Sequence, residues 1–161
     1  MNTVNDPIVA LIEEFLMNEA GWLACSLRKV LLVSKQRKST TPYGFEWLIH
    51  TAFACFLINK KQVRNLKIGE QDQDTRKKYD ISFELNNERF IIELKTTANL
   101  DLSFVKGDAQ KTVPSDAKLY LLVFSYPTDK KSPEIKIENC ELLINKLTYE
   151  NFKCLLFKKN N

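Results

Sequence analysis

The feature that most constrains how this chain folds is the stretch from Tyr79 to Lys95, YDISFELNNERFIIELK. Both halves of the stretch are rich in β-branched and aromatic residues, which favour strands. Asn86-Asn87 separates the halves, and Asn tolerates a positive φ better than other non-glycine residues do. The pattern therefore predicts a β-hairpin with a two-residue turn. Residues equally distant from such a turn face each other, so Phe83 is expected opposite Phe90.

Alternation along the two strands assigns the side chains to two faces of the hairpin. The expected core face holds the apolar residues Ile81, Phe83, Leu85, Phe90, Ile92 and Leu94. The expected polar face holds Asp80, Ser82, Glu84, Arg89, Ile91, Glu93 and Lys95. On the polar face, the same register places Glu84 opposite Arg89 and Asp80 opposite Glu93.

The facing pair of Asp80 and Glu93 is unusual, because directly opposed residues have Cβ atoms only about 4.5–5.5 Å apart. Two carboxylates at that distance repel by about 3 kcal/mol at an effective dielectric near 20. The pair therefore needs a shared proton or a bound cation. Carboxylate oxygens that leave positions for water and phosphate are the ligands that Mg²⁺ uses. Lys95 is expected on the same face about 6.6 Å further along the strand. Its ammonium can orient a nucleophilic water or neutralise charge in a phosphoryl transition state.

An Asp followed, after a gap, by Glu-x-Lys at the end of an apolar strand resembles the signature of the PD-(D/E)xK nuclease superfamily. Here the residues are Asp80 and Glu93-Leu94-Lys95, and Tyr79 stands where the name of the superfamily has Pro. The resemblance implies that Asp80 and Glu93, with the Leu94 carbonyl, bind Mg²⁺ or Mn²⁺ and that Lys95 positions or deprotonates the attacking water. In a chain with 27% charged residues, a solvated hairpin face also produces this spacing by chance.

The clearest helix of the sequence runs from Tyr43 to Ile58, where apolar residues recur at helical spacing and predict a mostly buried helix. Glu46 and His50 are four residues apart and therefore lie on one face of it. Members of the superfamily commonly have an acidic residue on the helix before the metal-binding strands. The resemblance thus makes Glu46 a third metal-site carboxylate. His50 is a weaker candidate, because only some nuclease families use a His there and a lone His among apolar residues is more often a core residue.

A basic loop is predicted from Ser34 to Pro42, within a segment (residues 20–45) that has no acidic residue. Lys35, Arg37 and Lys38 in this loop are candidates for contacts with a phosphate backbone. A solvated basic loop that contacts nothing explains the same composition equally well.

A further helix is expected after Lys95, near Gln110 and Lys111. In several nuclease families of this type, such a helix brings a Gln or a basic residue into the active site. The resemblance therefore makes Gln110 and Lys111 candidates for contacts with the scissile phosphate or with base edges. The alternative is an exposed polar helix turn.

Composition indicates a packed globular domain. The chain has 161 residues, is 44% apolar and has only four Gly and five Pro, so it suffices for one domain with a sizeable core. A net charge of +4 is compatible with a polyanionic partner without indicating one. The four cysteines show no CxxC spacing and are expected to be buried, reduced thiols of a cytoplasmic protein. No signal peptide is recognised, and the longest apolar run is too short to span a bilayer, so no membrane association is expected.

Before the hairpin, Asp6-Pro7 predicts an N-cap and a first helical residue, opening a helix to about Met17. A second helix is expected over Trp22–Val33. Val63–Ile68 predicts a short strand, and Gly69–Lys78 predicts a polar loop that leads into the hairpin.

After the hairpin, Lys118–Tyr126 is almost continuously apolar and predicts a central strand covered on both faces. Glu134–Ile137 is expected to form an edge strand, and residues 140–147 are compatible with a strand or a helix. Thr148 is expected to cap a last helix, because apolar residues follow it at helical spacing. Those residues are Tyr149, Phe152, Leu155 and Leu156.

The expected order of elements resembles the restriction-endonuclease-like core, αβββαβ. The resemblance implies an α/β fold with a mixed sheet flanked by helices, in one nuclease-like domain over residues 1–161. Its core would cover about residues 43–126, and residues 6–34 would form an N-terminal helical addition.

The implied function is a Mg²⁺- or Mn²⁺-dependent endonuclease that hydrolyses phosphodiester bonds in DNA. A restriction-type enzyme fits the size, and cutting both strands of double-stranded DNA would then require a homodimer. Junction-resolving, repair and transposition nucleases and RNA-cleaving toxins use the same core and stay open. Two alternatives without catalysis also stay open, a silent nucleic-acid-binding module and a generic α/β domain with surface ion pairs.

Overall fold

The computed structural model of the chain describes residues 5–19, 41–69, 78–126, 135–147 and 152–161. The helices are α1 (residues 7–19), α2 (Thr41–Ile58) and α3 (Ser103–Ala109). The strands are β1 (Val63–Ile68), β2 (Ile81–Leu85), β3 (Glu88–Ala98), β4 (Ala117–Tyr126), β5 (Cys140–Leu147) and β6 (Lys153–Lys159). The expected helix over Trp22–Val33 and most of the loop Gly69–Lys78 lie outside the described residues.

The six strands form one mixed sheet in the order β1-β2-β3-β4-β6-β5. β3 and β4 are parallel, and the other neighbouring strands pair antiparallel. Parallel strands need a crossover connection, and α3 lies within the one that joins β3 to β4. The prediction of a mixed α/β fold is confirmed, and the elements from α2 to β4 follow the expected order αβββαβ.

The hairpin of β2 and β3 has the predicted turn and register. Asn86 and Asn87 have φ values of 54° and 63°, and a two-residue type I′ turn requires positive φ at both central positions. Phe83 pairs with Phe90 and Glu84 with Arg89, as expected. All six apolar residues assigned to the core face are buried.

The sheet is covered on both sides, and this arrangement determines which face each strand residue occupies. On one side α1 and α2 pack over the sheet, with Phe15 and Phe53 in an edge-to-face contact at 5.1 Å. On the other side Val105 of α3 packs against Val123 of β4. β4 contributes buried side chains to both sides, so the prediction of a central strand is confirmed.

The N-cap of α1 is confirmed and also connects this helix to the sheet. The Ile8 N–H donates to Asp6 Oδ1 at 2.9 Å. The Tyr120 hydroxyl of β4 donates to Asp6 Oδ2 at 2.9 Å, and Lys158 Nζ of β6 lies 3.1 Å from the same oxygen. One carboxylate therefore fixes the start of α1 over two strands.

The prediction of a last helix is wrong, because Lys153–Lys159 is strand β6, inserted between β4 and β5. Cys154 and Leu156 point to the side of α1 and α2, whereas Leu155 and Phe157 point to the side of α3. A short apolar run buried on both faces is compatible with a strand or a helix from its spacing, and pairing with two neighbours makes it a strand. Thr148 lies outside the described residues.

Two smaller expectations are also wrong. Residues 135–137 of the expected edge strand do not form a strand, and the Ile137 carbonyl instead accepts the Cys140 N–H at 3.2 Å where β5 begins. Cys55 is exposed rather than buried, since it lies on the outer side of α2, near the exposed Trp47. Of the cysteines within the described residues, Cys154 is buried and Cys140 is partly buried, and Cys25 lies outside the described residues.

Among the described residues, no helix has the length and apolar character needed to cross a bilayer.

Candidate active site at the terminal edge of β3

The candidate site lies where β3 continues past the beginning of β2. β2 begins at Ile81, which pairs with Ile92, but β3 continues to Ala98 and pairs there with β4 on its other side. We call residues Glu93–Ala98 of β3, on the side of β2, the terminal edge. Backbone N–H groups of alternate residues point toward this side and need acceptors.

Along the terminal edge, carboxylates rather than a neighbouring strand accept the backbone N–H groups of β3. The Leu94 N–H donates to Asp80 Oδ2 at 2.8 Å, and the Thr96 N–H donates to Glu46 Oε2 at 3.1 Å. Asp80 directly precedes β2, and Glu46 comes from the N-terminal part of α2. Asp80, predicted from the hairpin register, and Glu46, which the resemblance implied, therefore lie along one strand edge.

Asp80 and Glu93 are neighbours, as the register predicted. The Asp80 N–H donates to Glu93 Oε1 at 3.3 Å, and the Glu93 side chain is only 1% exposed. Burial, followed by the negative charge of Asp80, raises the pKa of Glu93 from its ordinary 4.5 to about 7. Lys111 opposes this shift with a hydrogen bond and its charge but does not cancel it. The local field thus favours a proton or a cation at Glu93.

Lys95 lies on the same face of β3 as Glu93 and is half-buried. Its Nζ is 3.5 Å from Asp108 Oδ2 in α3. Burial by itself would lower the pKa of Lys95, but the charges of Asp108, Glu46 and Asp80 outweigh burial and raise it. Lys95 is therefore an ammonium at neutral pH.

Lys111 also points into the site, and Asp108 connects it to Lys95. Lys111 Nζ lies 2.9 Å from Glu93 Oε2 and 3.1 Å from Asp108 Oδ1. The side chain of Asp108 is 10% exposed, and its buried Oδ2 accepts no hydrogen bond from any described residue. Asp108 is the site residue that sequence reasoning missed. It lies three residues before Lys111, but its burial depends on how α3 packs against the sheet.

The remaining candidates divide between the site and other regions. His50 Nε2 is 3.7 Å from Asp80 Oδ2, so His50 and Glu46 share one face of α2, as their spacing predicted, and that face is turned to the site. Gln110 is exposed and lines a separate cavity together with Lys136 and Glu138. Lys35, Arg37 and Lys38 lie outside the described residues.

The donor atoms at the terminal edge suit a hard divalent cation, although the side chains must move to bind one. Among the described residues, no three His, Cys, Asp or Glu side chains are grouped so that they could hold a metal ion as they stand. The hydrogen bonds to Leu94 and Thr96 engage one oxygen each of Asp80 and Glu46, and each carboxylate has a second oxygen. Glu93 is paired with the ammonium of Lys111, so a cation at this carboxylate would compete with Lys111. The chemistry of the oxygen donors fits Mg²⁺ or Mn²⁺.

Comparisons of the chain with protein families, with curated proteins and with solved structures find no match. Any statement about activity therefore depends on the geometry at the terminal edge.

Proposed function

We propose that this protein is a divalent-metal-dependent endonuclease that hydrolyses phosphodiester bonds in DNA, built on a restriction-endonuclease-like core. The observation that carries the proposal is the neighbouring pair of Asp80 and the buried Glu93, with the Lys95 ammonium on the same face. The order αβββαβ from α2 to β4 supports the same fold. Asp80, Glu93, Lys95 and Glu46, the residues to which the resemblance to PD-(D/E)xK nucleases assigns roles, lie close together, which supports the proposal.

Asp80, Glu93 and Glu46 would hold the metal ion, together with the carbonyl of Leu94. When bound, such an ion polarises a non-bridging phosphate oxygen and lowers the pKa of the attacking water. Hydrogen bonds from β3 hold Asp80 and Glu46 in place, which reduces the entropy lost when they bind a cation or substrate.

Lys95 would position or deprotonate the attacking water, as the resemblance implies. It lies beside Asp108 and within the field of Glu46 and Asp80, so its charge could also neutralise charge on the phosphate. We propose double-stranded DNA as the substrate and a homodimer as the unit that cuts both strands.

A second candidate is a catalytically silent module, and one observation favours it. Asp80 and Glu46 both accept backbone N–H groups of β3, so a purely structural role accounts for these two carboxylates. That role does not account for Glu93, which is 1% exposed and lies against Asp80. A carboxylate in this environment destabilises the fold at neutral pH and indicates a requirement beyond stability.

The test is cleavage of supercoiled plasmid with Mg²⁺ or Mn²⁺ by the wild type and by Lys95→Ala. Removing a group that positions or deprotonates the attacking water is expected to slow cleavage by about 10²–10⁴-fold. Lys146→Ala is the matched control, because Lys146 is an exposed lysine on β5, at the opposite edge of the sheet. Thermal melting of each variant checks that the fold is retained.

Cleavage by the wild type and by Lys146→Ala, with loss in Lys95→Ala, supports the proposal, and discrete bands indicate a sequence-specific enzyme. Equal cleavage by all three proteins refutes the role of Lys95 and points to a contaminating nuclease. If the wild type cleaves neither plasmid, branched DNA nor RNA, the silent module becomes the better description.

A further inference from the structure

The ammonium of Lys111 occupies a position lined by oxygen atoms beside the acidic pair. Lys111 Nζ lies 2.9 Å from Glu93 Oε2, 3.1 Å from Asp108 Oδ1 and 3.4 Å from the carbonyl oxygen of Lys78. An ammonium has three N–H donors, so these oxygens match all of them. Lys111 therefore places a positive charge among these oxygens, as a bound cation would.

Glu93 explains why a cation is needed there. Its carboxylate is 1% exposed and next to Asp80, and a buried charge is tolerated only when it is paired. A divalent ion at Glu93 would meet the same requirement. Such an ion and the ammonium repel each other and compete for the same carboxylate.

Asp108 offers a second anion for Lys111, besides Glu93. It lies one helical turn before Lys111, and its side chain is nine-tenths buried. Its Oδ1 already contacts Lys111, and its Oδ2 is 3.5 Å from Lys95. Lys111 can therefore leave Glu93 and still be paired with a carboxylate.

We propose that Lys111 is the resident counter-cation of Glu93, that it competes with a divalent metal ion for this carboxylate, and that Asp108 retains the ammonium when the ion binds. The inference rests on the proposed function for the existence of the metal site. It assigns Lys111 a role inside the site, in place of the contact with phosphate or bases expected from the sequence. Lys111 and Asp108 are thus positioning residues.

The test measures Mn²⁺ affinity at fixed pH by titration calorimetry in the absence of nucleic acid. Competition between two cations for one carboxylate is expected to change affinity by about 5- to 150-fold, the usual range of coupling between binding events. Lys111→Met should bind Mn²⁺ more tightly, because the competitor is gone. Asp108→Asn should bind it more weakly, because Lys111 then has only Glu93 as a charged partner. Lys111→Arg should restore weak binding, and Lys106→Met, which changes an exposed lysine of α3, should match the wild type.

Tighter Mn²⁺ binding by Lys111→Met together with weaker binding by Asp108→Asn supports the inference, because general destabilisation of the fold would weaken binding in both variants. Equal or weaker binding by Lys111→Met overturns the inference. The metal site itself still stands in that case if Asp80→Ala abolishes binding to the wild type. Absence of Mn²⁺ binding in both the wild type and Lys111→Met removes the inference and the metal site together.

A measurement on the wild type covers the case in which Lys111→Met does not fold. The side-chain nitrogen resonance of Lys111, assigned by its loss in Lys111→Arg, should shift when Mg²⁺ is added. The resonance of Lys106 should not change. An unchanged Lys111 resonance at saturating Mg²⁺ overturns the inference.

Discussion

The most direct consequence of the site geometry concerns stability, and it needs no assumption about catalysis. The pKa of Glu93 rises from 4.5 to about 7 in the folded protein, through burial first and the charge of Asp80 second. The folded state therefore binds a proton at Glu93 more tightly than the unfolded state does. The stability that this proton contributes is fully present below about pH 4.5 and is lost as the pH rises through about 7.

The magnitude follows from the size of this pKa change. One pKa unit corresponds to about 1.36 kcal/mol, so a rise from 4.5 to about 7 corresponds to about 3 kcal/mol at pH 8. Glu93→Gln has nearly the shape of the protonated carboxyl and does not titrate. We expect this variant to be more stable than the wild type by about 3 kcal/mol near pH 8, and nearly equal to it near pH 4.5.

The assay is urea unfolding of both proteins with a chelator present, at several pH values between about 4.5 and 8. Glu138→Gln serves as the control, because Glu138 is exposed in the turn before β5 and should show no such pH-dependent difference. In an Asp80→Asn background the effect of Glu93→Gln should be smaller, because one of the two causes of the pKa rise is absent. If the wild type is as stable as Glu93→Gln near pH 8, pairing with Lys111 outweighs burial and repulsion, and the argument is refuted.

Two further predictions concern the scaffold of the site. Asp6→Ala should lower the free energy of unfolding by about 2–4 kcal/mol, through loss of the N-cap and of the hydrogen bonds from Tyr120 and Lys158. Burial raises the pKa of Asp6, but these partners outweigh burial and lower it below its ordinary 3.8. The stability that the Asp6 carboxylate contributes is therefore present above about pH 3.8 and lost in more acidic solution. Equal stability of the wild type and Asp6→Ala at neutral pH would contradict this prediction. Asn87→Gly should raise stability by up to about 1 kcal/mol, because Asn87 has a φ of 63° and glycine adopts this conformation without steric cost. A lower melting temperature for Asn87→Gly would show that the Asn side chain stabilises the turn.

The hairpin and its register could be predicted because their causes are local. Two Asn residues fix the turn, and alternation then decides which residue faces which. The same local logic placed Glu46 and His50 together on α2, since a spacing of four residues brings side chains to one helical face. The register thus related Asp80 to Glu93, with Lys95 on the same face, and the resemblance then pointed to Glu46, His50 and Lys111.

The parts that escaped prediction depend on contacts between distant segments. β6 has an apolar run too short to distinguish strand from helix, and its insertion between β4 and β5 decides the question. Asp108 belongs to the site only because α3 crosses from β3 to β4 and brings this residue over Lys95. The spacing of residues along the sequence does not reveal such a crossover. From the sequence alone, Asp108 therefore could not be distinguished from a solvated acidic residue.

The terminal edge of β3 also explains how one fold can hold several carboxylates close together. An N–H dipole pointing at a carboxylate stabilises its charge, and β3 offers such dipoles at Leu94 and Thr96 because β2 begins too late to use them. Asp80 and Glu46 are thus held by N–H groups of β3, whereas Glu93 accepts the Asp80 N–H at 3.3 Å and is also paired with a cation, which is Lys111 in this structure. On the proposal made above, a cation that replaces Lys111 would meet two fixed carboxylates and one exchangeable carboxylate. Its affinity would then depend on how readily Lys111 leaves Glu93 as well as on the number of oxygen ligands.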